Sequence, residues 1–176
     1  FSATENGIDI TEQVNTNNNI DPTSVGIYSF DYAVQNADGY YTNESRVVVV
    51  YDPSSPTDDF SGTYNTTIVR TEGDGSNPRT YNAYNTITKL GTGVFYVDCL
   101  LGGTYSIAFG YQSAYAMTGY ILLNPDYSIT LISSFVSGWG DSLEGFQNGS
   151  YDSGTGLPYW ESIYANGDIY AITMSK

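Results

Sequence analysis

The stretch GIYSFDYAVQNADG, residues 26–39, decides the class of fold. From residue 27 to residue 35 large apolar and aromatic side chains alternate with smaller or polar ones, as in a β-strand with one buried face. The residues on that face are Tyr28, Phe30, Tyr32 and Val34. Residues 36–39 end in a glycine that can supply the positive φ of a tight turn, and a second β-rich run follows at residues 46–51. The pattern predicts a β-hairpin.

The same alternation continues through the rest of the chain, and no segment shows the 3.6-residue period of a long helix. Strands are predicted at residues 62–71, 84–90, 94–101, 118–123, 128–134, 157–164 and 168–174. Short connections that contain Gly, Asn or Pro separate several of them, which favours an antiparallel meander. The fold class is therefore all-β, and the meander either closes into a barrel or folds as a sandwich.

Residues 52–59 divide the chain. They contain two prolines and otherwise only polar side chains, a composition typical of a linker between domains. The predicted organisation is a first β domain at residues 1–52, a linker at 53–59 and a second β domain at 60–176.

Charge and composition restrict the partners. The chain has 19 Asp plus Glu against 5 Lys plus Arg, a formal net charge of −14, which disfavours both nucleic acid and anionic lipid surfaces. Its longest apolar runs fall far short of the ~18 residues of a membrane-spanning helix, so no membrane insertion is predicted. Charged residues make up only 14% of the chain, against about 25% in an average soluble protein. This polar but weakly charged composition is common in extracellular β-proteins.

Catalytic signatures are few. The sequence contains no histidine, which removes Ser-His-Asp and Cys-His catalysis and the commonest zinc sites. The single cysteine, Cys99, falls on the same predicted strand face as Phe95 and Val97, so we expect it to be buried. Residues 152–154 match the Asp-Ser-Gly core of aspartic proteases but have no second copy, which favours a turn. We therefore predict a non-enzyme without metal or organic cofactor.

Two alternatives to this prediction use carboxylates. A glycoside hydrolase needs two of them facing each other across a sugar cleft, and the available group flanked by aromatics is Asp141, Glu144, Asp152 and Glu161. A calcium ion between the domains could use Asp52, Asp58 and Asp59.

Two long segments, residues 102–117 and 135–156, are rich in glycine and aromatic residues and do not fit the meander. Long irregular connections in compact domains are often functional, and sugars stack on exposed Trp and Tyr rings while carboxylates accept hydrogen bonds from their hydroxyls. The candidate ligand-binding residues are Trp139, Asp141, Glu144, Tyr111, Tyr115 and Trp160. We expect the segment around Trp139, Asp141 and Glu144 to border the most ligand-like depression of the second domain, with Tyr111 or Tyr115 from the other long segment facing it. The alternative is that both tryptophans belong to the core. The region around residues 141–146 also allows a short helix.

The chain resembles two known families. Residues 26–39, followed by VVVVYD at 47–52, resemble the last two strands of bacterial surface immunoglobulin-like domains. The part after the linker is similar to the C-terminal domain of Bacteroidetes-type surface lipoproteins. The matching stretches are DFSGTY at 59–64, GYILLN at 119–124, GWGDSL at 138–143, and Tyr151-Asp152 leading to Tyr159-Trp160.

This resemblance implies a truncated immunoglobulin-like sandwich whose early strands, and any anchoring cysteine, lie upstream of Phe1 or are missing. It also implies an extracytoplasmic, lipid-anchored outer-surface protein of the kind often encoded with glycan-uptake genes, without catalytic residues. The expected function is a non-catalytic binding module on the cell surface, with glycan as its ligand and other outer-membrane glycan-uptake proteins as possible partners. A structural spacer without ligand is the first alternative and a glycoside hydrolase the second.

Overall fold

The computed structural model describes residues 1–176 and is almost entirely β, which confirms the predicted fold class. It contains two compact units, residues 1–50 and residues 51–176. The elements of the first unit are β1 (Thr4–Glu5), β2 (Ile8–Asp9), a 3-10 helix (Thr11–Gln13), β3 (Asn15–Asn18), β4 (Gly26–Gln35) and β5 (Tyr41–Val50).

The predicted hairpin is β4 and β5, which pair antiparallel from Gly26 opposite Val50 to Gln35 opposite Tyr41. Strand β5 begins before the predicted residue 46 because its first half is polar and exposed, so hydrophobicity does not mark it. Strand β3 pairs with β4 and completes a three-stranded sheet. Gly26 is the one buried residue of this unit. A unit with so small a core is only marginally stable by itself.

The second unit is built on one antiparallel sheet. Its elements are β6 (Gly62–Thr71), β7 (Arg79–Gly91), β8 (Val94–Val97), a π-helical turn (Thr104–Ala108), a 3-10 helix (Ser113–Tyr115), β9 (Thr118–Leu123), β10 (Ile129–Phe135), β11 (Gly145–Asp152), β12 (Leu157–Tyr164) and β13 (Asp168–Ser175). The eight strands follow the order β10-β9-β8-β7-β6-β13-β12-β11.

The edge strands β10 and β11 approach each other closely and nearly close the sheet into a barrel. Ser128 and Ser150 form a single β-bridge there. A Cβ atom on Gly149 would lie 2.1 Å from the Ile129 carbonyl oxygen, so only glycine permits this approach. The structure thus favours the barrel over the sandwich.

Strand prediction succeeded where alternation is regular. Strands β6, β9 and β12 have the predicted bounds, and the other predicted strands are present with shifted ends. Strand β11 was missed inside the segment 135–156, because its register shifts between Gln147 and Ser150 and interrupts the alternation. The short helix considered around residues 141–146 is wrong: Asp141 forms a β-bridge with Val136, and β11 begins at Gly145.

The barrel interior is filled by large side chains, among them Phe60, Tyr64, Ile68, Phe95, Trp160 and Tyr170. The rings of Phe60 and Phe95 stack with centroids 3.8 Å apart. Cys99 is buried in this core, as predicted.

Strand β8 ends at Val97 instead of the predicted residue 101, because residues 99–104 turn into the barrel and are buried. The Leu100 carbonyl oxygen accepts hydrogen bonds from the Trp160 indole N–H at 3.0 Å and from the Ser162 hydroxyl at 2.7 Å. Two side chains of β12 thereby satisfy a backbone group that water cannot reach. We call residues 99–104 the interior loop.

Further contacts fix the interior loop on the other wall of the barrel. The Thr66 hydroxyl donates to the Gly102 carbonyl oxygen at 2.6 Å, and the Cys99 amide donates to the Asn85 side-chain oxygen at 3.2 Å. Gly102 has φ +65°, and a Cβ there would also lie 2.8 Å from Ile68. Both the turn and the space require glycine at this position.

The segment predicted as a linker, residues 53–59, lies within the second unit. Ser55 is buried, and the Lys89 ammonium donates to the carbonyl oxygens of Thr57 at 2.7 Å and Asp58 at 3.0 Å. The sequence pattern showed polar side chains and gave no sign of packing, because most of these contacts are made by the backbone.

This packing predicts a difference between two fragments. Residues 51–176 should fold alone, whereas residues 60–176 should fold with a melting temperature about 3–6 °C lower, since the Lys89 hydrogen bonds contribute about 1 kcal/mol. Circular dichroism melting of the two fragments measures the difference. Equal melting temperatures would show that residues 51–59 are a passive linker after all.

Candidate ligand-binding surface

Trp139 lies at the tip of the turn that follows β10. The turn is closed by hydrogen bonds from the Val136 amide to the Asp141 carbonyl oxygen, 2.9 Å, and from the Gly140 amide to the Val136 carbonyl oxygen, 2.8 Å. Its neighbour Gly138 donates its amide to the Ala114 carbonyl oxygen at 2.7 Å. The two segments that did not fit the meander therefore dock on each other, and Trp139 remains 42% exposed.

Aromatic rings surround Trp139. Its centroid lies 4.8 Å from that of Tyr115, 4.9 Å from Tyr105 and 6.3 Å from Tyr111. Tyr164 stacks below it at 6.1 Å. The structure thus places Tyr111 and Tyr115 beside Trp139, as the sequence predicted. We call these five residues, Tyr105, Tyr111, Tyr115, Trp139 and Tyr164, the Trp139 patch.

The base of the patch is held from inside the barrel. The Tyr105 and Tyr170 hydroxyls are 2.7 Å apart, and the Arg70 guanidinium lies 5.4 Å from the Tyr170 ring centroid. Arg70 is fixed in turn by an ion pair with Asp168. Burial, followed by the hydrogen bond with Tyr105, raises the pKa of Tyr170. The exposed rings therefore pack above Tyr170 and Arg70, which are fixed by a hydrogen bond and an ion pair.

The two predicted carboxylates already have partners, and that of Asp141 contacts the patch. The Tyr164 hydroxyl donates to both Asp141 oxygens, at 2.9 and 3.1 Å. Glu144 accepts the backbone amides of Asn166 at 3.0 Å and Gly167 at 2.8 Å. Each carboxylate has about four acceptor positions, so both keep capacity for further hydroxyl donors.

The prediction that Trp160 binds a ligand is wrong. It is completely buried, and its indole N–H is engaged by the Leu100 carbonyl oxygen, so it cannot contact a ligand. The signal was present in the sequence. Trp160 follows the strict alternation of β12, in which every second residue is buried, whereas Trp139 lies between two glycines in a turn.

The other two carboxylates of the hydrolase alternative hold separate local structures. Glu161 accepts hydrogen bonds from Gln147, Asn148 and Tyr159. Burial, together with the hydrogen bond to this carboxylate, raises the pKa of Tyr159 to about 12. Asp152 accepts the Gly154 amide at 2.8 Å and so closes a turn. These roles, like those of Asp141 and Glu144, are structural.

Three cavities of the second unit, of about 450, 500 and 600 Å³, are lined by other residues. None of the five residues of the Trp139 patch lines any of these three cavities, and the expected depression beside Trp139 stays a prediction. The smallest of the three contains Asp98, Tyr84 and Tyr96, none of which was singled out in the sequence. Alternation along β8 does place Tyr96 and Asp98 together on the face opposite Phe95 and Val97, and that was the available signal.

Comparison with known proteins follows the division of the chain. Residues 1–50 match the model of the bacterial surface protein, Ig-like domain family. Residues 53–176 match a model of a C-terminal domain family. The fold is similar to the crystal structure of the lipoprotein BT2262 from Bacteroides thetaiotaomicron, with a TM-score of 0.63 and 34% sequence identity over 99% of this chain and 87% of that one. A search of curated proteins found no match.

An Ig-like domain followed by an eight-stranded barrel-like domain defines the class as a bacterial surface protein. The chain belongs to the family of the lipoprotein BT2262. This agrees with the resemblance found in the sequence and supports an extracytoplasmic, cell-surface location. None of the helices in the structure has both the length and the apolar character needed to cross a membrane.

The contact between Asp141 and Tyr164 predicts a titration. Burial, together with the hydrogen bond to Asp141, raises the pKa of Tyr164. A tyrosine with a raised folded-state pKa costs the fold stability as the pH rises above about 10. Asp141→Asn removes the negative charge but keeps an acceptor, so the pKa of Tyr164 should fall.

NMR of ¹³C-labelled tyrosine against pH measures this shift. Asp126→Asn is the control, because Asp126 accepts its hydrogen bonds from Ser128 in another turn. An unchanged Tyr164 titration in Asp141→Asn would contradict the described contact.

Proposed function

We propose that the protein is a non-catalytic binding module of the cell surface, and that the Trp139 patch binds glycan. The observation that carries the proposal is the pair of exposed rings, Trp139 and Tyr111, with the partly exposed Tyr115 between them and the Asp141 carboxylate bonded to the buried Tyr164 beneath. The apolar C–H face of a sugar ring stacks on such rings, while its hydroxyls donate to carboxylates.

The grouping of the rings separates this patch from ordinary surface aromatics. Single exposed hydrophobic side chains are normal on soluble proteins, whereas contiguous ones mark interaction sites. Here Tyr111 is 48% exposed and Trp139 42% exposed, and Tyr115 lies between them, 5.7 Å from Tyr111 and 4.8 Å from Trp139. The rings are held against the barrel, so little side-chain entropy is lost when a ligand binds.

A location on the cell surface is consistent with a patch that binds extracellular glycan. Membership in a family that includes a lipoprotein supports a lipid-anchored parent protein on the outer membrane. Glycan-uptake proteins of the same membrane are the proposed partners. A shallow stack contributes only about 1–1.5 kcal/mol per ring, whereas a millimolar Kd requires about 4 kcal/mol, so the affinity for a short sugar should be millimolar or weaker.

A structural spacer is the second candidate. The engagement of Asp141 by Tyr164 and of Glu144 by two backbone amides favours it, because both carboxylates already have a role in the fold. The two candidates differ in whether removal of the Trp139 ring changes binding or only stability.

Trp139→Ala should reduce retention on immobilised neutral polysaccharides at least about tenfold, since it removes the central stacking ring. We expect a loss of only about 1–2 kcal/mol of stability, below the 3–5 kcal/mol of a fully buried Trp, because the indole is partly exposed. The measurement is affinity electrophoresis through gels of cellulose derivatives, xylan, mannan and galactan, with melting curves of the same samples.

Tyr127→Ala is the matched control. Tyr127 is 38% exposed and lies on the turn between β9 and β10, at the other end of this hairpin from the turn of Trp139. It should bind as the parent does. Equal retention of Trp139→Ala and the parent would exclude the patch, and a parent that no polysaccharide retains would leave the spacer.

A further inference from the structure

The outer face of the barrel carries a cavity of about 450 Å³ between β7, β8 and the segment that follows the interior loop. Tyr84 of β7 and Tyr96 of β8 lie on its sheet side, with Asp98 directly after β8. Ser106 and Gln112 contribute from the covering segment. No Lys or Arg lines this cavity.

Asp98 differs from the aspartates of the exposed turns. It is half-buried, and one of its oxygens accepts the Thr86 amide at 2.8 Å. Burial raises the pKa of Asp98, whereas the pKa values of aspartates in exposed turns, such as Asp126 and Asp152, are lowered by hydrogen bonds from neighbouring residues. A carboxylate has about four acceptor positions, so Asp98 can accept a hydroxyl donor in addition to the Thr86 amide.

An accessible aromatic ring stands beside this carboxylate. Tyr84 is 54% exposed and projects outward from β7. The backbone next to it is held firmly, since a Cβ on Gly103 would lie 2.9 Å from the Tyr84 carbonyl oxygen. The cavity therefore combines an exposed ring and a carboxylate, the same pairing that the Trp139 patch offers.

One segment forms a wall of both sites. Tyr105, Tyr111 and Tyr115 belong to the Trp139 patch, whereas Ser106 and Gln112 line the cavity. The segment includes a π-helical turn, Thr104–Ala108, and Gln112 has φ +75°. Such turns and strained non-glycine residues are frequent at functional sites. Neighbouring residues of one short segment therefore contribute to both sites.

We propose that this cavity is a second sugar subsite, in which Asp98 accepts hydroxyl hydrogens and Tyr84 stacks on an uncharged ring of the glycan bound at the Trp139 patch. The inference rests on the proposed function and adds a ligand class: neutral oligosaccharides of several units. Sugars with carboxylate or sulfate groups are disfavoured, because the cavity has no cation and the chain carries a net charge of −14.

The test is an NMR titration of the full ¹⁵N-labelled chain with cellohexaose, xylohexaose and mannohexaose, and with hexagalacturonate as the acidic probe. The Trp139 indole N–H reports on the patch and the Thr86 amide, bonded to Asp98, reports on the cavity. The buried indole N–H of Trp160 is the internal control. We expect a neutral hexasaccharide to shift both reporters and hexagalacturonate to shift neither.

Two variants then separate the subsites. Asp98→Asn keeps an acceptor for Thr86 and Tyr84→Ala changes an exposed side chain, so both should fold. Each substitution should lower the affinity for the neutral hexasaccharide about tenfold. The affinity for the matching disaccharide, which occupies the patch alone, should fall less than about twofold. Asp126→Asn is the matched carboxylate control and should bind as the parent does.

Shifts confined to Trp139 at every ligand length would overturn the second subsite and leave the proposed function intact. Shifts of the Thr86 amide without shifts of the Trp139 indole would contradict both the binding of one ligand across the two sites and the role of the patch. No shift with any neutral probe would overturn both proposals, and tight binding of hexagalacturonate would overturn the proposed ligand class.

Discussion

The structure of the second unit depends on the backbone of the interior loop, which passes through the barrel with its polar groups cut off from water. An unsatisfied buried amide or carbonyl costs about 1–3 kcal/mol, so each must find a partner inside the core. Trp160 and Ser162 supply it from β12, Thr66 from β6 and Asn85 from β7. These polar contacts specify where the loop lies more narrowly than apolar packing alone would.

The position of the candidate sites follows from this constraint. Once residues 99–104 are fixed, the chain leaves the core at Tyr105 and must continue over the outer surface to Thr118, where β9 begins. On that path it presents tyrosines to the turn of Trp139 and polar side chains to the Asp98 cavity. The Trp139 turn is attached to the same path through Ala114. Recognition by a rigid scaffold with functional side chains on its connections is a common arrangement.

The sequence predicted those parts of the molecule in which side chains alone carry the information. Strands β6, β9 and β12 alternate regularly and were found with their bounds, and the resemblance to surface immunoglobulin-like and lipoprotein domains is confirmed. The grouping of Tyr111 and Tyr115 with Trp139 was anticipated because both long segments concentrate aromatic residues. Trp160 was misjudged because proximity to glycines and carboxylates in sequence outweighed its place in an alternating strand.

The parts that could not be predicted depend on backbone contacts between distant residues. No sequence pattern shows that residues 99–104 enter the barrel, that the carbonyl groups of residues 57 and 58 bind Lys89, or that β11 pairs despite its shifted register. Alternation along β8 groups Tyr96 with Asp98, but the Asp98 cavity arises only when the covering segment is placed over β7 and β8, which no sequence pattern shows.

The central claim is that the interior loop holds a preformed sugar-binding surface. A crystal structure of the chain soaked with a neutral hexasaccharide tests it most directly. We expect a sugar ring stacked on the Trp139 indole and residues 99–117 within about 1 Å of their positions in the free protein. A sugar bound on a different surface, or a rearranged interior loop beneath a bound sugar, would contradict this account.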